Sequence, residues 1–166
     1  MSEQVIRTKA VNLKKYLNIA VYIVTLGILI YTWPVTSQLT LSQLQPIAST
    51  VATIAGILFG FAMGSMTFLT TAKGITLVEN VKKTGYLKKL TSKLHSTMGW
   101  LLAVCVIFLI TMFIPDSVTF DVTVSQQSKT YHVASAVAHI GVGVLILAFK
   151  EFFFTWREFK KFADSI

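Results

Sequence analysis

Four long apolar runs, separated by polar segments, organise this chain. They extend from Leu17 to Trp33, Ile47 to Ala72, Thr97 to Ile114 and His132 to Phe149. A helix needs about 17–25 mostly apolar residues to cross a hydrocarbon core, and each run supplies that length. The pattern predicts an all-α integral membrane protein, a four-transmembrane-helix bundle forming a single membrane domain over residues 1–166. The first run has a basic flank but no small-residue cleavage site after it. It ends in Tyr31, Trp33 and Pro34, so it reads as a retained span with aromatic residues at the interface.

The connecting segments have patterns of their own. Val35 to Gln45 carries no charge and ends at Pro46, a suitable first residue for a helix. In the loop over 115–131, Val118, Phe120, Val122 and Val124 alternate with Thr119, Asp121 and Thr123, a period-2 strand pattern. Leu39 and Leu41 around Thr40 give a weaker alternation. A small β-ribbon joining the two loops and a coil lying on the membrane surface both fit. Between the second and third runs, Ile75 to Lys83 extends the second helix, Gly85 stops it, and Tyr86 to Leu94 leads into the third. The expected result is a two-armed helical stalk over 73–96. In the tail over 150–166, Phe152, Trp156 and Phe159 fall at i, i+4, i+7, as in a helix lying in the headgroup zone. Lys150 and Glu151 read as a snorkelling lysine and its neighbour at the membrane exit.

Charge orients the spans. The 166 residues are 54% apolar and 13% charged, about half the charged fraction of a soluble domain, with a net charge of +8. Fourteen of the 15 basic residues lie before the first run, between the second and third, or after the fourth, and Lys129 is the exception. The positive-inside rule then puts both termini and the stalk in the cytoplasm. The expected location is a membrane crossed several times.

Three constellations are candidates for function. Ala48, Ala52, Gly56, Gly60 and Gly64 recur every four residues, a small-residue stripe suited to close helix packing within or between subunits. Lys82, Lys83, Lys88, Lys89 and Lys93 on the stalk suit anionic headgroups or a docking partner. His132, Ser135 and His139 fall on one face of the fourth span. They suit either a neutral histidine bonded to hydroxyls of a neighbouring helix such as the second, or a pore-lining, proton-sensing group. No carboxylate or thiolate joins the histidines at ligand spacing, so no metal site is expected, and Cys105 reads as a small apolar residue. Phosphate-binding loops, GxSxG, HExxH and CxxC patterns are missing from the sequence, and neither catalysis nor a cofactor is expected. Lysines so close to a bilayer are explained by lipid and topology before nucleic acid, so no direct nucleic-acid binding is expected.

The small-residue span from Ala52 to Thr70, followed by VKKTGYLKKL with Gly85 and Tyr86, resembles small four-span bacterial anti-phage membrane proteins. The KwaA subunit of the Kiwa defence system and the RexB phage-exclusion protein are examples. The resemblance covers most of the chain in layout, and Ala52 to about Leu90 in motif. It implies a homo-oligomer, a tetramer, of the bacterial inner membrane that senses infection and either recruits a cytosolic effector or depolarises the cell. Two functions are therefore expected to compete: a membrane sensor or scaffold that recruits a cytosolic protein partner, and a channel-forming effector.

Overall fold

The computed structural model describes residues 2–71, 85–124 and 127–163. Four helices and one hairpin make up this part of the chain: α1 (Ser2–Thr36), α2 (Leu41–Thr71), α3 (Tyr86–Phe113), β1 (Thr119–Val124), β2 (Gln127–His132) and α4 (Val133–Ala163). All four helices contain a stretch long and apolar enough to cross a membrane. One end of the bundle carries the hairpin; the opposite end carries the start of α3 and the end of α4, with their lysines.

Three helices form the packed unit, and each does so with a heptad seam. On α2, Leu44, Ala48, Ala55, Ala62, Ser65 and Leu69 are buried, and half-buried Val51 and Leu58 complete the alternation of four and three. On α3 the seam is Leu90, Leu94, Thr97, Leu101, Val104, Phe108 and Thr111. On α4 it runs through Ala134, Ala138, Gly141, Ala148, Thr155 and Phe162. Such spacing keeps one face turned to its neighbours at the shallow crossing angle of left-handed bundles. The central cluster joins Ala48 and Ala55 to Leu101, Val104, Phe108 and Ala148; Ala62, Leu69, Leu90, Leu94 and Phe162 form a second cluster at the lysine end.

The first helix stands apart from this trio and packs chiefly on α4. Its contact positions also recur every seven residues. Tyr22 meets Lys150, Leu29 meets Gly143, and Thr36 meets His139. Away from that seam Ile23, Leu26, Ile30 and Tyr31 are all exposed.

Several local expectations change. The ribbon is a hairpin within one loop, with Phe120 opposite Tyr131 and Val122 opposite Lys129, and it does not draw in the first loop. Leu39 instead packs with Leu44, Ala134 and Ala138, and Leu41 already begins α2. The α2 helix therefore starts five residues before Pro46. Its start is fixed by Thr40, whose carbonyl accepts the amides of Gln43 and Leu44, while the Gln43 side chain accepts the Thr40 amide at 3.1 Å. This is the return half of a capping box, legible as Thr-x-x-Gln. Gly85 adopts φ 73° immediately before α3, a left-handed conformation that glycine enters without a Cβ clash. The first arm of the stalk, Ile75 to Lys83, lies outside the described residues.

Candidate functional site

The histidine face divides between two elements. His132 is the last residue of β2, not part of the helix, and its Nδ1 lies 3.1 Å from the Asp116 carbonyl and 3.7 Å from its carboxylate. Ser135 and His139 are buried on α4. The Ser135 hydroxyl donates to the Leu39 carbonyl at 3.2 Å, tying α4 to the link between α1 and α2. His139 Nδ1 lies 2.8 Å from Thr36 Oγ1, and its ring meets Trp33 edge-on at 5.1 Å. The partner hydroxyl thus comes from the end of α1, where the sequence pointed to the second span as an example. Trp33 also packs on Tyr131, so a single indole bridges α1, α4 and the hairpin.

The glycine stripe separates from the core along its length. Ala48 is buried and Ala52 half-buried, but Gly56, Gly60 and Gly64 are exposed, with open space where a Cβ would stand. The reason is geometric. At about 100° per residue, a four-residue step advances about 40° around the axis, so the stripe turns through about 160° from Ala48 to Gly64. A seven-residue step returns almost to its start, which is why Ala48, Ala55 and Ala62 stay in the seam. The close approaches within the chain occur on α4 instead. A methyl group at Gly141 would come 3.0 Å from Ile107 Cγ2 and from the Phe108 ring, and one at Gly143 would come 2.9 Å from Leu29 Cδ1. The two glycines, two residues apart, let α3 and α1 approach opposite sides of the same helix. Their Gly-Val-Gly spacing was a visible signal that the sequence reading missed.

At the lysine end, Tyr86 and Glu158 organise the charges. The Tyr86 hydroxyl lies 3.2 Å from the Glu158 carboxylate and 3.3 Å from its carbonyl, and Lys93 Nζ lies 3.8 Å from the same carboxylate. Lys89 and Lys161 add to the positive field around it. Lys88 and Lys89 are exposed on the first turn of α3, and Lys160 and Lys161 occupy the last turn of α4. Cations there also complement the partial negative charge of the helix end. Lys82 and Lys83 fall outside the described residues.

The aromatic tail is not a separate surface segment. Helix α4 runs unbroken through it, with half-buried Phe152 packed on the central cluster and Phe159 on the second. Trp156 sits 5.1 Å from Phe61 of α2 and stacks on Phe159 at 6.3 Å. Lys150 is likewise held inside the assembly instead of extending freely outward. Its side chain is only 10% exposed, its ammonium lies 3.3 Å from Glu151, and it stands 5.1 Å from the centre of the Tyr22 ring. Cys105 directs its thiol toward the Ala52 carbonyl at 3.5 Å, a packing contact between α3 and α2.

Among the described residues, no group of three or more His, Cys, Asp or Glu side chains could hold a metal ion. Side-chain nitrogen and oxygen atoms buried in this bundle all have hydrogen-bond partners among the described residues. Threonines 25, 50, 53 and 111 return their hydroxyls to the carbonyl four residues earlier. What distinguishes the molecule is a cationic end built on two adjacent helices, and an aromatic-histidine junction at the other. Compared with protein-family models, with curated proteins and with solved structures, the chain matches none.

Proposed function

We propose that the protein is an oligomeric scaffold of the bacterial inner membrane that recruits an acidic cytosolic partner through its lysine end. The observation that carries this reading is the convergence of Lys89 and Lys93 on α3 with Lys161 on α4 around the Tyr86–Glu158 contact, with Lys88 and Lys160 exposed on the same two helix ends. Helices hold these charges at fixed positions, and fixed cations steer and orient an acidic surface better than a flexible tail does. On the positive-inside rule this end faces the cytoplasm. The likeness to anti-phage membrane proteins supplies a biological setting, a sensor that passes infection to a soluble effector. Exposed Gly56, Gly60 and Gly64 offer a surface on which copies of the chain can pack closely.

The competing reading, a channel, would use the fourth-span polar face as a pore lining. In the single chain, Ser135 and His139 are already committed to Leu39 and Thr36. The scaffold reading is therefore preferred.

The test is charge reversal. Lys82, Lys83, Lys88 and Lys89 are changed together to glutamate, and the protein is purified with the product of a neighbouring gene. Loss of the partner with the membrane oligomer intact is the expected result, with loss of protection in a phage plating assay. Equal binding by the reversed protein at low salt would refute the scaffold reading. Membrane orientation is checked in the same variant, because reversal also weakens the topology signal.

A further inference from the structure

The hairpin end contains a cleft of about 390 Å³ between the last turn of α1 and strand β2. Trp33, Ser37 and Gln38 form one side, and Lys129 and Tyr131 the other. Its size is at the lower end of ligand clefts, roughly 300–1,000 Å³. We propose that this cleft binds the headgroup of an anionic phospholipid in the adjacent leaflet, with Lys129 as the phosphate-binding cation.

Strand geometry sets up the site. Residues two apart in a strand share a face, so Lys129 and Tyr131 point the same way. Tyr131 packs on Trp33 at 5.6 Å, which fixes that face toward α1 and stands Lys129 over the cleft. Among the described residues the Lys129 ammonium also lacks a carboxylate. The segments joining the runs at this end contain two acidic residues, Asp116 and Asp121. Asp121 accepts the Thr130 hydroxyl at 2.7 Å, across the hairpin, and Asp116 faces His132. Lys129 makes no ion pair among the described residues, and it is the one basic residue in the loops at this end. A positive-inside pattern explains cations elsewhere in the chain; it does not explain this one.

The surroundings favour a lipid over a free anion. Ile30 lies one turn below Trp33 and Pro34 on α1, and it is 69% exposed. An acyl chain hanging from a headgroup in the cleft would lie along that surface. Trp33 and Tyr131 are the residue types that sit at headgroup level, and the Gln38 amide can donate to glycerol or phosphate oxygens. The cleft thus combines a cation, an amide and an aromatic wall above an apolar track.

The experiment uses the full-length chain in vesicles, with Trp100→Phe and Trp156→Phe leaving Trp33 as the sole indole. Trp33 fluorescence is quenched with phosphatidylglycerol brominated near the top of its acyl chains, and separately with phosphatidylethanolamine carrying the same chains. If the double variant misfolds, the same signal is obtained as the difference between wild type and Trp33→Phe. A lysine near a surface favours anionic lipid by a factor of roughly five, so half-quenching should need about one-fifth as much phosphatidylglycerol. Lys129→Arg should keep this preference and Lys129→Glu should abolish it. Equal quenching by both lipids in the wild type, or a preference that survives Lys129→Glu, would overturn the proposal. Removal of the preference by soluble glycerol 3-phosphate at matched salt would also overturn it, assigning the cleft to a free anion. The inference rests on the membrane reading, and quenching by neither lipid would reject that reading itself.

Discussion

Thr36 Oγ1 lies 2.8 Å from His139 Nδ1, and this contact closes the hairpin end of the seam between α1 and α4. The same hydroxyl lies 3.1 Å from the Thr32 carbonyl. Thr36 either donates to Thr32 and accepts an Nδ1–H from His139, or donates to Nδ1 of the other tautomer, and in both cases the hydroxyl ties the imidazole to the helix end. Trp33 covers the ring edge-on at 5.1 Å. Histidine, threonine and tryptophan thereby act as a clasp on a helix that otherwise packs on one side only.

The clasp predicts coupled substitutions. Thr36→Val leaves a buried imidazole nitrogen without its partner, which costs about 1–3 kcal/mol. Thr36→Ser should keep most of the wild-type stability. In the double variant Thr36→Val/His139→Leu both partners are gone, and the loss should be well below the sum of the single losses. Thermal unfolding in detergent reads the wild type, the single variants Thr36→Val, Thr36→Ser and His139→Leu, and the double variant. Strict additivity would show that the two side chains are energetically independent.

Glycine positions should respond with opposite signs. Gly60→Ala places a methyl in open space and improves helix propensity, a gain of up to about 1 kcal/mol for the isolated chain. Gly141→Ala gains the same propensity but drives its methyl to 3.0 Å from buried Phe108. Overpacking costs about 1–3 kcal/mol, so the net effect should be destabilising. Oligomer size is measured alongside. If Gly60→Leu shrinks the oligomer without harming the single chain, the exposed stripe lies between subunits. Unchanged size, stability and protection would remove the stripe from the argument.

Tyr22 and Lys150 give a third test. A cation over an aromatic face contributes about 0.5–2 kcal/mol, more where water is excluded. Tyr22→Phe should therefore match the wild type, and Tyr22→Leu should lower the unfolding temperature and loosen α1. A disulfide trap at the α1–α4 seam measures the loosening. Equal trapping in the Phe and Leu variants would show that the ring's charge distribution plays no part.

Membrane orientation is tested by single cysteines in a Cys105→Ala background. The charge pattern predicts that an impermeant reagent reaches Ser128 on the hairpin from outside intact cells and does not reach Thr91 on α3. Labelling at Thr91 under those conditions would reverse the orientation.

The amino-acid sequence by itself determined the four long apolar helices, because a run of some 20 uncharged residues has few other stable forms. The period-2 pattern around Phe120 and Val122 likewise marked β1, and Thr40 with Gln43 carried a readable capping signal. Which face of each helix turns inward was decided only in three dimensions. When every face is apolar, hydropathy gives no contrast between core and lipid, and the discriminating variable becomes residue size at a given rotation. The four-residue glycine repeat therefore drew attention, while the seven-residue alanine seam of Ala48, Ala55 and Ala62 makes the packed face. Close approach at Gly141 and Gly143 likewise depends on where Phe108 and Leu29 stand, on helices far away in the chain. The same holds for His139, whose hydroxyl partner lies 103 residues earlier. Spacing can put a histidine on a face, but the fold alone decides which neighbour occupies the space beside it.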